Sequence, residues 1–274
     1  MVEPQTALGR LEALLAGLEE APVAVAVSGG VDSMTLSVVA GRVLGSRATM
    51  MHAVSPAVPA SATARVRRYT DQEGWRLTLL DAGEFDDPRY RENPANRCFY
   101  CKESLYSAMR RATVGIMLSG TNLDDLDDYR PGLEAARRQG VRHPFVEARI
   151  DKSGVRGISR ALGLEDLAEL PAAPCLSSRI ETGVRIQANL LAFVDRTERT
   201  IRESLAASVV RARVRQDTID IELDPDSLSR LRAEARAKLA RQVDAMAMEE
   251  GIARPVRFAP YRRGSAFLRA ASDG

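Results

Sequence analysis

The chain has 274 residues, 45% of them hydrophobic and 28% charged, with 39 basic residues set against 37 acidic ones. That is ordinary soluble-globular composition, with material for one large core or two small ones. A net charge of +2 excludes a protein dominated by non-specific nucleic-acid binding, and no apolar run approaches the roughly 18 residues of a membrane span.

The first stretch lacks the basic-then-apolar layout of a signal peptide. Its Leu8, Leu11, Leu14, Leu15 and Leu18 lie on one helix face, so a cytoplasmic protein is expected. Val23 to Val27 is a short, β-branched, wholly apolar run, as a strand buried on both faces should be. A glycine turn and the helical spacing of 34–45 follow. Residues 48–54 then read as strand, 62–74 as helix, 75–81 as strand, 101–112 as helix and 114–120 as strand. Alternating strands and helices predict an α/β fold built on a doubly wound parallel sheet, with ligands at the carboxyl ends of its strands. Residues 151–164 read as a helix, and near Gly183 the character of the chain changes. An amphipathic helix over 189–205, two strands within 209–225, a long helix from about Asp226 to Glu250 and a strand within 254–264 make a compact α+β unit. The expected domains are therefore 1–182 and 183–274.

Two strand ends carry unusual sequences. Ser28-Gly29-Gly30-Val31-Asp32-Ser33 stands where a strand meets a helix. Its glycines permit a tight turn, the N–H groups opening the helix point at an anion, and Asp32 can hold Mg²⁺ carried by phosphates. It is not a Walker A loop, because the lysine that reaches the β- and γ-phosphates is missing, and it is not the GxGxxG fingerprint. The second end, Gly120-Thr121-Asn122, is followed by Asp124, Asp125, Asp127 and Asp128. These carboxylates are either Mg²⁺ ligands, with Asp125 or Asp128 assisting, or a solvated acidic turn.

Cysteine is sparse: Cys98 and Cys101 in a C-x-x-C spacing, and Cys175 in the proline-bounded 170–180 stretch. One C-x-x-C and two histidines, His52 and His143, support a four-ligand zinc site poorly. Three cysteines suit a [4Fe–4S] cluster with one iron lacking a protein thiolate; redox or structural thiols remain open. Arg97, Lys102 and Arg179 flank these cysteines in sequence and would favour a thiolate beside them.

The Ser28–Ser33 hexapeptide resembles the loop of the PP-loop ATP pyrophosphatases, whose HUP-like fold holds ATP while its α-phosphate is attacked and pyrophosphate leaves. Asp-Tyr-Arg-Pro-Gly-Leu at 128–133, Cys-Leu-Ser-Ser-Arg-Ile at 175–180, the 211–223 strand pair and Tyr-Arg-Arg-Gly at 261–264 extend the resemblance to the LarE sulfur transferases. The resemblance implies ATP binding by Ser28, Gly29, Gly30, Asp32, Ser33, Gly120 and Asp125, with Asp32 and Cys175 catalytic. It implies that Arg211, Arg213 and Arg262 hold the phosphate of a pyridinium dicarboxylate mononucleotide. A carboxylate would be adenylylated and converted to a thiocarboxylate, as in nickel-pincer nucleotide biosynthesis. Sulfur would come from a cluster held by Cys98, Cys101 and Cys175, supplied by a sulfur donor, or from Cys175 itself. The resemblance also implies a homo-oligomer, a hexamer being one such form, while the near-neutral charge argues against a nucleic-acid partner. After Ile180 the sequence departs from the usual aromatic and glycine, with Glu181-Thr182-Gly183 in their place. A tRNA-thiolating PP-loop enzyme, a sulfur-inserting enzyme of another metabolite and a non-catalytic nucleotide-binding protein stay open.

Overall fold

The computed structural model describes residues 4–126, 131–172 and 174–268. In chain order the elements are α1 (Pro4–Ala16), β1 (Val23–Ala26), α2 (Val31–Leu44), β2 (Ala48–Ala53), α3 (Ala60–Glu73), β3 (Arg76–Leu80), α4 (Pro88–Arg91), α5 (Arg97–Ala112) and β4 (Ile116–Ser119). They continue with α6 (Pro131–Arg138), α7 (Pro144–Glu147), α8 (Lys152–Ala161), α9 (Glu165–Ala168), α10 (Ala188–Leu205), β5 (Val210–Val214) and β6 (Ile219–Leu223). The last are α11 (Pro225–Arg230), α12 (Ala233–Glu249) and β7 (Val256–Pro260). Two compact units result. One takes the chain up to Asp86 and again from Cys98; the other takes Asp87–Arg97 and the chain from Pro174 onward. The boundary expected at residue 182 thus lies inside the second unit: sequence character shifts at Gly183, but the packing has already shifted at Pro174.

The first unit holds a four-stranded sheet in the order β3-β2-β1-β4, every pair parallel. The chain steps outward from β1 to β3, then returns to set β4 on the other side of β1. That reversal makes the β1/β4 carboxyl ends the switch point, where open α/β sheets take their ligands. The alternation along β1 splits its side chains between two layers. Val23, Val25 and Val27 pack with Leu11, Leu15, Met34, Val38, Val155 and Ile158. Ala24 and Ala26 pack with Tyr106 and Met109 of α5 and Ala135 and Ala136 of α6. This is the doubly wound α/β sheet expected of a PP-loop fold.

The second unit is built on a three-stranded sheet, β5-β6-β7, antiparallel between β5 and β6 and parallel between β6 and β7. Both β5 and β6 are buried throughout, yet their alternation is strict. Val210, Ala212, Val214, Ile219, Ile221 and Leu223 form the apolar set, while Arg211, Arg213, Asp220 and Glu222 form a buried charged set. The helix expected from Asp226 to Glu250 is two helices, because Leu231 (ψ 94°) and Arg232 (ψ 154°) adopt extended backbone between them. Helix-favouring composition on either side does not override that break.

Asp87–Arg97 is stapled into this unit by Asn93, whose φ of 55° is unusual for a non-glycine residue. Its amide donates to the carbonyls of Glu181 (2.8 Å) and Val184 (2.9 Å), and its side-chain oxygen accepts from Arg97 (2.7 Å). Tyr90 adds a 2.6 Å hydroxyl contact to Ser177. Among the described residues no helix is long and apolar enough to cross a membrane.

Candidate active site

β1 runs into Ser28-Gly29-Gly30, and α2 begins at Val31. Gly29 has φ 79°, and a Cβ there would stand 2.8 Å from the Ala62 carbonyl oxygen. Backbone conformation and the close approach of α3 therefore both demand glycine. Arg65, also on α3, donates to the Gly29 carbonyl at 2.7 Å. The Ser33 hydroxyl accepts from the Ser28 N–H (3.0 Å) and donates to the Gly30 carbonyl (3.1 Å), closing the turn from within. His52 pairs with the Val27 carbonyl (2.8 Å) and the Thr63 hydroxyl (2.9 Å) just behind it. Burial lowers the His52 pKa, and the bond to Val27 offsets only part of this, so a neutral ring donating to Val27 buttresses the loop. The first N–H groups of α2 have no acceptor within the helix, and the helix dipole adds positive potential. The result is a loop suited to cradle an anion.

The second strand end closes on this cradle. A Cβ on Gly120 would lie 2.8 Å from the Ser33 nitrogen and 2.9 Å from the Asp32 carbonyl carbon, so the β4 loop touches the α2 turn backbone to backbone. Asn122, buried, donates to Asp32 at 3.1 Å, and its own N–H is taken by Asp125 at 3.1 Å. Asp32 also receives the Lys152 ammonium at 2.5 Å. Of the residues expected to bind nucleotide, Ser28, Gly29, Gly30, Asp32, Ser33, Gly120 and Asp125 are thus brought together in the first unit. Asp127, Asp128 and Arg130 lie outside the described residues.

The expected substrate-phosphate residues sit in the second unit. Arg211 and Arg213 share one strand face, as their spacing requires, but that face is buried rather than solvated. Arg213 bonds Glu222 (3.1 Å) and the carbonyls of Ser178 (3.0 Å) and Arg262 (3.4 Å), which brings the exposed Arg262 backbone beside it. Burial and the neighbouring Arg179 charge lower the Arg211 pKa. Cys175 is exposed and opens the short turn 176–179. Arg179 at the end of that turn is buried and forks onto Glu198 at 2.8 and 3.0 Å. Its remaining nitrogen donates back to the carbonyls of Pro174 (2.5 Å) and Cys175 (3.2 Å), so the Arg179–Glu198 pair shapes the backbone that carries the thiol. Glu181, the departure from the family pattern, clamps Arg215 (3.0 Å) and the Gln216 N–H (3.2 Å) in the β5–β6 turn.

Cys98 and Cys101 occupy the first turn of α5, three residues apart and so on one helix face, both half-buried. Lys102 lies over the Tyr106 ring (5.6 Å), and Arg97 over the Phe267 ring (4.3 Å). Among the described residues no group of three His, Cys, Asp or Glu side chains gathers for a metal ion. The pair places two free thiols on one helix face.

Three residues on the site escape local sequence reading. Lys152 stands 120 positions from Asp32; its signal is that only three of the 39 basic residues are lysine. Glu198 is signalled by a carboxylate on the apolar stripe of α10, between Val194 and Ile201. Arg65 carries no signal in an arginine-rich chain.

A parallel, doubly wound sheet with a glycine-turned anion cradle at its switch point makes this an α/β protein of the kind that binds anionic ligands there, consistent with a PP-loop fold. No family model matches the chain. It is 38% identical over 208 residues to an uncharacterized protein of Synechocystis sp., covering 74% of this chain and 77% of that one. It is 29% identical over 206 residues to the pyridinium-3,5-bisthiocarboxylic acid mononucleotide synthase of Lactiplantibacillus plantarum, covering 73% and 74% of the two chains. An uncharacterized protein of Methanocaldococcus jannaschii matches at 23% over 210 residues, covering 74% of this chain and 78% of that one. The chain belongs to one family with the Synechocystis protein, and its similarity to the L. plantarum synthase supports the LarE family.

Proposed function

We propose that this protein is an ATP-dependent sulfur transferase that converts a carboxylate of a pyridinium dicarboxylate mononucleotide into a thiocarboxylate. The observation that carries the proposal is the convergence of Ser28–Ser33, Gly120–Asp125 and Lys152 at the switch point of a chain similar to a bisthiocarboxylate synthase. The cradle would take the β- and γ-phosphates, with Asp32 and Asp125 oriented for Mg²⁺. A substrate carboxylate oxygen then attacks the α-phosphorus, the bridging P–O bond breaks, and pyrophosphate leaves with the electron pair. The acyl adenylate is a strong electrophile, so positioning and charge neutralisation supply most of the catalysis. A sulfur nucleophile adds to the acyl carbon and AMP departs. Arg211, Arg213 and Arg262 would meet the substrate phosphate, guanidinium groups being suited to forked phosphate contacts.

For the sulfur we propose that Cys98, Cys101 and Cys175 hold a [4Fe–4S] cluster, which when bound supplies sulfide on the iron that no cysteine occupies. The cysteine count and the C-x-x-C spacing support this. One observation favours a second route, the exposure of Cys175 against its half-buried partners. There the Cys175 thiolate forms the thioester itself; loss of its Cα proton and cleavage of its Cβ–S bond release the thiocarboxylate and leave dehydroalanine. Anaerobic purification, visible spectroscopy and intact mass decide between them. A brown chromophore lost in Cys98→Ala or Cys101→Ala supports the cluster. A colourless chain that loses the mass of H₂S at Cys175 during turnover supports the second route. No pyrophosphate from ATP with the dicarboxylate mononucleotide would overturn the function.

A further inference from the structure

A Walker A loop carries its own lysine to the β- and γ-phosphates, and Ser28–Ser33 has none. The fold brings an ammonium to the same mouth from another element. Lys152, the first residue of α8, places its Nζ 2.5 Å from Asp32 on the first turn of α2. We infer that Lys152 is the cation that grips the departing pyrophosphate, and that without nucleotide Asp32 keeps it in reserve. The inference deepens the ATP-dependent reading above and rests on it.

The anchoring of Lys152 is asymmetric. Its backbone is fixed: its N–H reaches Asp124 (3.4 Å), Leu123 donates to Ile150 (3.1 Å), and Asp151 caps α8 through the Gly154 N–H (2.7 Å). Among the described residues the side chain is held at its tip, and it is one-third exposed, at 34% against 26% for Asp32. The pair is part-buried and not sealed in the core, so a phosphate oxygen that replaces the carboxylate at the ammonium can offset its parting. Asn122 holds the other Asp32 oxygen at 3.1 Å, so the carboxylate keeps its orientation when the ammonium swings away. The exchange also balances charge. A Mg²⁺ carried by the triphosphate would compete with the ammonium for Asp32, and an ammonium so displaced would be within reach of phosphate oxygens. A lysine suits this motion, with a compact charge on a flexible four-carbon stem where arginine offers a rigid fork. In a chain with three lysines among 39 basic residues, its presence here runs against the composition.

The test compares binding of Mg²⁺-α,β-methylene ATP with binding of AMP by calorimetry. Lys152→Met should weaken the triphosphate roughly 10- to 100-fold, the size of one charge-assisted contact, and shift AMP by less than about threefold. Equal losses for both ligands would mean that Lys152 acts through the fold, and no loss would mean that it does not touch phosphate; either result overturns the inference. If the wild-type chain binds no triphosphate, the ATP reading itself falls. A measurement without any variant runs alongside. Amine acetylation followed by peptide mass resolves the lysines easily. Lys152 should be protected by the Mg²⁺-triphosphate and not by AMP, and identical labelling with the two ligands overturns the assignment.

Discussion

Glu198→Gln should be among the most damaging single changes outside the nucleotide loop. The Arg179 and Glu198 side chains are 3% and 6% exposed, and their two contacts measure 2.8 and 3.0 Å. Burial alone would lower the Arg179 pKa, but the bonds and charge of Glu198 more than offset it, and the net direction is upward. Glutamine keeps the size of the side chain and an acceptor for the Ala212 N–H, now 3.1 Å away, yet leaves a buried guanidinium without its counter-charge. Removing one partner of such a pair costs about 3–5 kcal/mol, a large share of a typical stability of about 5–15 kcal/mol. Urea unfolding followed by circular dichroism reads this directly. Because Arg179 also ties the Pro174 and Cys175 carbonyls, alkylation of Cys175 should quicken in the same variant. Adding Arg179→Met should cost less than the sum of the single changes, by about 1–3 kcal/mol, since the stranded charge is then gone. The exposed Arg42–Glu73 pair, whose side chains are 45% and 14% exposed, is the comparison, with Glu73→Gln expected to cost under about 1 kcal/mol. A Glu198→Gln loss no larger than that of Glu73→Gln refutes the reasoning.

Gly120→Ala forces a methyl group to 2.8 Å from the Ser33 nitrogen, so it should cost about 1–3 kcal/mol in a thermal melt and weaken triphosphate binding as well. An unchanged melting curve would show that the two strand-end loops have room to part. Burial holds the His52 pKa below its ordinary 6.5. As pH falls below that value, the unfolded chain takes a proton that the folded chain declines, so this contribution is present above about pH 6.5 and is lost on acidification. Urea unfolding from pH 7.5 to 5 should show an acid limb that is flatter in His52→Gln; an equally steep limb in the variant rules the histidine out as its source.

The first sheet is legible because its signals are local. A wholly apolar Val23–Val27 must be buried on two faces, and Ser28–Ser33 at its end must turn by glycine. The alternation in 209–223 likewise tells which residues share a face. It does not tell that the charged face is buried, since Glu222 and Ser178, which make this tolerable for Arg213, come from other segments. Lys152 meets Asp32 across 120 residues, and no periodicity carries that information. The interruption at Leu231-Arg232 falls in a stretch whose residues favour helix on both sides, so propensity does not announce it. Glu181 stands where the family pattern differs, yet its carboxylate is occupied by Arg215 and Gln216, a framework role that only the folded β5–β6 turn reveals.

Asp87–Arg97 gives the protein an order of assembly. The segment leaves the ribosome before β4 exists and long before the groups it bonds, the Ser177 hydroxyl and the carbonyls of Glu181 and Val184. Until the chain beyond Pro174 emerges, the bonds from the Asn93 amide and the Tyr90 hydroxyl to that part of the chain cannot form. A chain that stops at residue 172 lacks the groups that Asn93 and Tyr90 bond beyond Pro174, and one that starts at 174 lacks Asn93 and Tyr90 themselves. The two units are distinct in packing, yet no single cut in the chain separates them, because the second is made of two stretches with most of the first unit's later half between them.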